Sequence, residues 1–200
     1  ITPEGVVDGA VVVRNGIIES VTTTPPQHRD IIDIGDAWLL PGLVDTHVHI
    51  NEPGTDWEGW HTASRAAAAG GITTLVDMPL NSDPVTIDHP SLDAKLAAAD
   101  AVCVVDHACW LGLTNDSLPL LTPELLRRAP GVKAFMCDSG LAAFGRADIQ
   151  TIEHACMLLA AVGRPLLVHA ELVTNQPTWE GPNSRHASWA VTRPPRFEHD

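Results

Sequence analysis

His47 and His49 stand two residues apart just after the apolar run Pro41-Gly42-Leu43-Val44, and their spacing is the first in the chain that could do chemistry. On a β-strand, positions i and i+2 point to the same face. Both imidazoles would then project together and offer a pair of nitrogen ligands to a divalent metal. An H-x-H also occurs as ordinary polar histidines, so its setting decides. Lys133 is the second such residue, interrupting the otherwise apolar Gly131-Val132-Lys133-Ala134-Phe135-Met136, where an unpaired charge is costly to bury. Either its stem lies along apolar surface with the ammonium reaching water or a carboxylate, or burial depresses its pKa. A neutral amine of that kind can react with carbon dioxide, and the resulting carbamate is an anionic oxygen ligand able to bridge two metals. His169 closes the apolar run Leu166-Leu167-Val168. It reads as a satisfied core histidine or as a further ligand at a strand end.

Those side chains need a scaffold that brings them together. From Trp38 onward, apolar strands alternate with alanine-rich or leucine-rich helical stretches, a pattern that indicates a parallel sheet. Strands are expected over Leu39–Val44, Thr73–Asp77, Ala101–Asp106, Val132–Met136 and Pro165–Val168. Helices are expected over Trp57–Ala69, Ser91–Ala99, Pro123–Ala129 and Asp148–Val162. Gly70-Gly71 suits a helix C-terminus, and Pro123 and Asp148 suit helix starts. The repeat fits either a doubly wound sheet or a barrel. No glycine-rich phosphate loop follows the first strand. The histidines and the lysine belong to candidate strands one, four and five, and barrel enzymes assemble their sites from such strand ends. The barrel is therefore favoured for residues 38–200. Residues 1–37 read as part of a small β domain: a hairpin over Asp8–Val21 turning at Asn15-Gly16, a Pro25-Pro26 linker, and a short strand over Ile31–Ile34.

Composition excludes some partners. A formal net charge of -13, with only 12 basic residues, opposes nucleic-acid binding, which needs clustered Lys and Arg. No apolar run reaches the roughly 18–20 residues that cross a bilayer, and no basic start precedes a signal segment. The four cysteines form no C-x-x-C pair. They read as free, mostly buried thiols in a reducing compartment, and the expected setting is the cytoplasm, without membrane or nucleic-acid partners.

Taken together, these features resemble the cyclic amidohydrolases, the family that holds dihydroorotases, hydantoinases and allantoinases. The resemblance runs along essentially the whole chain. It passes through Pro41-Gly42-Leu43-Val44-Asp45-Thr46-His47-Val48-His49, Gly71-Ile72-Thr73-Thr74-Leu75-Val76-Asp77-Met78-Pro79, Asn81-Ser82, and the Lys133 and His169 strands. It implies an α/β fold, a (β/α)8 TIM barrel of the metal-dependent hydrolase type beside a small β-sandwich domain. It also implies two divalent metal ions, with His47 and His49 on one, carbamylated Lys133 bridging both, and His169 on the other. Such mixed ligands suit zinc, with cobalt, iron, manganese and nickel as alternatives. Asn81 matches an asparagine that contacts substrate in relatives, and it equally suits a turn in Asn81-Ser82-Asp83-Pro84. A strand-six histidine and a strand-eight aspartate, the catalytic proton shuttle, are expected beyond Asp200, so these 200 residues alone are expected to be inactive.

Within the family, Asn51-Glu52-Pro53-Gly54, Lys133-Ala134-Phe135-Met136-Cys137-Asp138-Ser139-Gly140 and Arg193-Pro194-Pro195 look like the allantoinase branch. Dihydroorotases carry an arginine where Asn51 stands. Hydantoinases carry a tyrosine where Asp138 stands, and this chain has no tyrosine. The implied activity is hydrolysis of the cyclic amide of allantoin to allantoate by a homo-oligomer, a tetramer by resemblance. The alternatives are another cyclic amidohydrolase or a non-catalytic relative. Asp77, at the end of its strand, is expected to orient a ligand or to cap the next helix, and Glu171 is undecided. His61, His107, His154, His186 and His199 are expected to be solvated or structural, and the tryptophans to serve packing.

Overall fold

The structure, a computed structural model, describes residues 1–24, 27, 30–171, 186 and 190. The chain forms two compact units, Ile1–Gly42 and Leu43–Asp200. In the first, β1 (Ala10–Arg14) and β2 (Ile17–Thr22) pair antiparallel. Asn15 and Gly16 join them at φ 51° and 77°, the left-handed pair that a tight hairpin turn with matching twist requires. The register shifts between Val12 and Val13. The expected strand over Ile31–Ile34 does not form. Ile31 and Ile32 are exposed, and the backbone turns there, with the Ala37 N–H donating to the Ile34 carbonyl at 3.1 Å. Among the described residues no segment runs alongside to take up its amides, and apolarity without a partner makes no strand. The Pro25-Pro26 linker lies outside the described residues.

The second unit alternates strands and helices. In order they are β3 (Leu43–Val48), α1 (Trp60–Ala69), β4 (Ile72–Asp77), α2 (His89–Val102), β5 (Asp106–Cys109), β6 (Leu111–Leu113), a 3-10 turn (Leu118–Leu120), α3 (Pro123–Arg127), β7 (Val132–Phe135), α4 (Ile149–Val162) and β8 (Leu166–His169). Strand pairing is parallel throughout, in the orders β3-β4-β5 and β6-β7-β8. Trp110 joins the two sheets: its N–H donates to the Asp77 carbonyl at 2.9 Å, whereas the next N–H, of Leu111, donates to Gly131 at 3.2 Å. One broken strand thus passes its pairing from β4 to β7.

Two expected strands are displaced. The first begins at Leu43 rather than Leu39, because Pro41 has no N–H to give a ladder and pairing with β4 starts where Leu43 meets Ile72. His47 consequently lies within the strand. The third begins at Asp106, where it was expected to end, since Ala101 and Val102 complete α2. An alanine-rich apolar run suits helix and buried strand alike.

Local chemistry explains the helix ends. Gly71, at φ 83°, follows α1. Asp88 and Ser91 form a reciprocal capping box on α2, and Thr122 precedes Pro123 at the start of α3. Asp148 caps α4, which stops at the left-handed Gly163. Helix α1 starts at Trp60 rather than Trp57. Gly59 has no side chain to cap it, and the Glu52 carboxylate accepts the Trp60 N–H instead, at 2.7 Å. The core between sheet and helices is built on Trp60, Leu75, Leu92, Leu111, Leu125 and Val132, all 2% exposed or less. Among the described residues no helix is long and apolar enough to cross a membrane.

Candidate metal centre

The parallel strands and the residues just after them carry the side chains singled out above. His47 lies in β3 and His49 one residue past it, their ring centroids 5.5 Å apart at a 48° tilt. Burial lowers the His47 pKa, and the nearby charges of His49 and Lys133 lower it further against the opposing pull of Asp45. The neutral imidazole favoured in this way is the form that ligates a metal. Lys133, on β7, is 7% exposed, and its Nζ lies 4.8 Å over the centroid of the Phe135 ring. Among the described residues no carboxylate forms a salt bridge with it. Desolvation lowers its pKa, the direction that the carbamate reading of this lysine requires. His169 ends β8, opposite Phe135 in register, and stacks on that ring at 5.0 Å and 12°. Lys133 thus faces His47 electrostatically and shares the Phe135 ring with His169.

Glu171 takes a definite place here. Its Oε2 is 3.2 Å from His169 Nε2 and 3.7 Å from Cys137 Sγ. One donor atom from each of Cys137, His169 and Glu171 lies within 4.8 Å of the others. Cys109 and Cys137 are buried, Cys103 is half-buried and Cys156 is exposed, and none of the four is in a disulfide. Burial pushes the Cys109 thiol up to about 12, which keeps it protonated and inert.

Asn81 adopts φ 71° in its turn, and its Oδ1 lies 3.0 Å from His49 Nδ1. Turn geometry and side-chain contact are therefore combined in one residue. With His49, Asn51, Trp57 and Glu58 it lines a cavity of about 430 Å³. Trp57, expected to serve packing, is 77% exposed and lines this cavity, whereas Trp60 and Trp110 are buried. His61 accepts from Arg65 along α1, and His107 pairs with Asp100 and stacks near Trp60. His199 and Arg193-Pro194-Pro195 lie outside the described residues.

Asp77 does not cap a helix. Its Oδ1 accepts the Ile50 N–H at 2.9 Å, and its Oδ2 pairs with Lys95 Nζ at 2.8 Å. Burial raises the Asp77 pKa, and the Lys95 charge opposes that rise. Lys95 escaped the sequence reading because a lysine in an alanine-rich helix reads as solvated. A signal was nonetheless there: Ser91, Leu92, Lys95 and Ala99 share the spacing of one helix face, and all four are buried.

The donor set fits a divalent metal of borderline softness: the imidazoles of His47, His49 and His169, the first disfavoured for protonation by burial, and a buried amine open to conversion into an oxygen ligand, carried by β3, β7 and β8 and the residue after β3. Comparison with known proteins agrees. Residues 38–183 match the amidohydrolase family. The chain is 41% identical over 211 residues to the allantoinase of Arabidopsis thaliana, covering 99% of this chain and 42% of that protein. It is 45% identical over 175 residues to that of Streptomyces avermitilis, covering 86% and 39%. Among solved structures, the L-hydantoinase (dihydropyrimidinase) from Arthrobacter aurescens matches with a TM-score of 0.70 at 26% identity, over 80% of this chain and 36% of that one. The fold is that of the TIM-barrel metal-dependent hydrolases. Within that class, the chain belongs to the amidohydrolase family, whose members are typically metal-dependent. It spans about two fifths of the length of these curated relatives.

Proposed function

We propose that this chain carries part of the metal centre of an allantoinase, which opens the hydantoin ring of allantoin to give allantoate. The observation that carries this reading is the 41–45% identity to allantoinases, against 26% to a hydantoinase of similar shape. The cavity beside His49 supports it. Among the described residues its walls hold Asn51, Asn81 and Glu58 but no lysine or arginine, which suits a neutral, N–H-rich ureide better than a carboxylate-bearing ring. Asp138, where hydantoinases have a tyrosine, binds the Gly140 N–H in a local turn.

In this reading His47, His49 and His169 would hold the divalent ions, and carbamylated Lys133 would add an anionic oxygen ligand between them. The desolvated Lys133 amine adds to carbon dioxide and loses a proton, forming an N–C bond and an anionic carbamate. Divalent ions, zinc by ligand chemistry, supply Lewis acidity toward the ring carbonyl and toward the attacking water when bound. Asn81 orients His49 and borders the substrate. Proton transfer to the leaving nitrogen is assigned to no side chain among these 200 residues. The same reading has residues 1–37 as part of a small β domain and the protein as a cytosolic homo-oligomer acting on a small molecule.

Side-by-side assays of the full-length protein on allantoin, hydantoin and dihydroorotate test this. The expected result is the highest kcat/KM on allantoin. A higher value on either other ring would replace the substrate assignment, and a protein that purifies without stoichiometric metal and hydrolyses none of the three would be a non-catalytic relative.

A further inference from the structure

Lys95 and Asp77 form an ion pair whose side chains are 0% and 1% exposed. An ammonium has three N–H donors, and three acceptors surround this one: Asp77 Oδ2 at 2.8 Å, the Met78 carbonyl at 2.6 Å and Ser82 Oγ at 3.3 Å. These bonds converge on His49 from both sides. The Asp77 carboxylate takes the N–H of Ile50, the residue after His49, at 2.9 Å. Met78, whose carbonyl Lys95 holds, donates its N–H to the carbonyl of Val48, the residue before His49, at 2.9 Å. Ser82, which Lys95 also holds, follows Asn81, whose Oδ1 meets His49 Nδ1 at 3.0 Å.

We propose that Lys95 is a positioning residue for the metal centre: with Asp77 it clamps the backbone on either side of His49 and the Asn81 turn, so that the His49 ring keeps one orientation and one tautomer. This rests on the metal-centre reading above. Replacing a buried ion pair with apolar side chains of similar volume is often neutral or stabilising, so stability alone does not account for a buried lysine with every donor used. In this arrangement Asn81 Oδ1 would accept the Nδ1 proton of His49, leaving Nε2 to ligate. A partner on the non-ligating nitrogen is what fixes the tautomer of a metal-binding histidine. Lys95 touches neither metal nor substrate; it acts through Asp77, Met78 and Ser82.

The test uses the full-length protein with Lys95→Met, the double variant Asp77→Asn/Lys95→Met, which strands no charge, and Leu125→Ala as a control. Leu125 is buried in the core on α3. Two readouts are taken besides unfolding: zinc affinity by chelator competition, and the ¹⁵N shifts of the His49 ring in metal-free protein. The expected result is an affinity loss of about 10- to 100-fold and mixed His49 tautomers in both Lys95 variants, with Leu125→Ala destabilised yet unchanged in both readouts. Should Lys95→Met fail to fold, the double variant decides. The proposal is overturned if a folded Lys95 variant keeps wild-type affinity and a single His49 tautomer, or if Leu125→Ala loses as much affinity. Unchanged zinc binding in His47→Ala would instead overturn the metal-centre reading, and the tautomer measurement would still decide on Lys95.

Discussion

His47 is the residue on which burial, the His49 ring and the Lys133 charge act together, all against protonation. Its substitution is the sharpest single test of the centre. In the full-length protein, His47→Ala should lower bound metal by at least one ion per chain and reduce allantoin turnover by at least about 10²- to 10³-fold, the range found when one preorganised electrostatic group is removed. Elemental analysis alongside turnover checks both, and full metal content in the variant would remove His47 from the ligand set. Lys133 differs from Lys95 in a way that matters for function. Lys95 is fully buried with a carboxylate and two further acceptors. Lys133 lies against an aromatic ring, no carboxylate pairs with it among the described residues, and desolvation lowers its pKa, the direction that the proposed carbamate requires.

Helix α4 packs on β8, the strand that ends at His169, so its N-terminal cap bears on that side of the site. Asp148 accepts the Thr151 N–H at 2.9 Å at the start of α4, and this hydrogen bond is the main cause of its lowered carboxyl pKa. A carboxylate whose pKa is depressed by folding contributes stability above its ordinary range and loses it as the pH falls through the folded value. Asp148→Asn keeps a capping oxygen but no charge. Its deficit relative to the natural protein should therefore be present near neutrality and vanish once the pH is below the folded pKa, as urea unfolding across an acid series would show. A deficit of constant size would mean that the charge contributes nothing. Leu125 on α3 is fully buried, and Leu125→Ala should cost about 2–5 kcal/mol through lost contacts and the cavity left behind. Thermal unfolding gives that number, and a cost below about 1 kcal/mol would mean that the site collapses around the gap.

At the scale of the molecule, the parallel strands run from β3 at one edge to β8 at the other, with no further partner at either edge among the described residues. A barrel closes only when its strand number, tilt and stagger agree, and open edges recruit other chains. These 200 residues alone should therefore self-associate and should not turn over allantoin when supplied with zinc and bicarbonate. General acid–base assistance, assigned above to no side chain among these residues, is typically worth about 10²- to 10⁴-fold. Sedimentation and allantoate formation, measured against the full-length protein at equal concentration, check both expectations. Turnover within about tenfold of the full-length protein would mean that other residues carry the chemistry.

What the sequence by itself determined was local. The Asn15-Gly16 turn, the halt of α1 at Gly70-Gly71, the starts of α3 and α4 at Pro123 and Asp148, and the shared direction of His47 and His49 all follow from backbone preferences within a few residues. Apolarity also marked Lys133 and His169 as strand residues, because a buried parallel strand is apolar on both faces. Apolarity reports burial, however, and not conformation or pairing. That is why Ile31–Ile34 read as a strand it does not form, and why strands β3 and β5 begin four and five residues later than expected. Only the tertiary structure decided which groups meet across long stretches of chain: Lys95 with Asp77, Asp77 with the Ile50 amide, Asn81 with His49, and Phe135 with His169. A lysine in an alanine-rich helix costs little in water and a great deal in a core unless three acceptors wait for it. Those acceptors come from β4 and the loop after it, 13 to 18 residues before Lys95 in the chain, so no local pattern announces them.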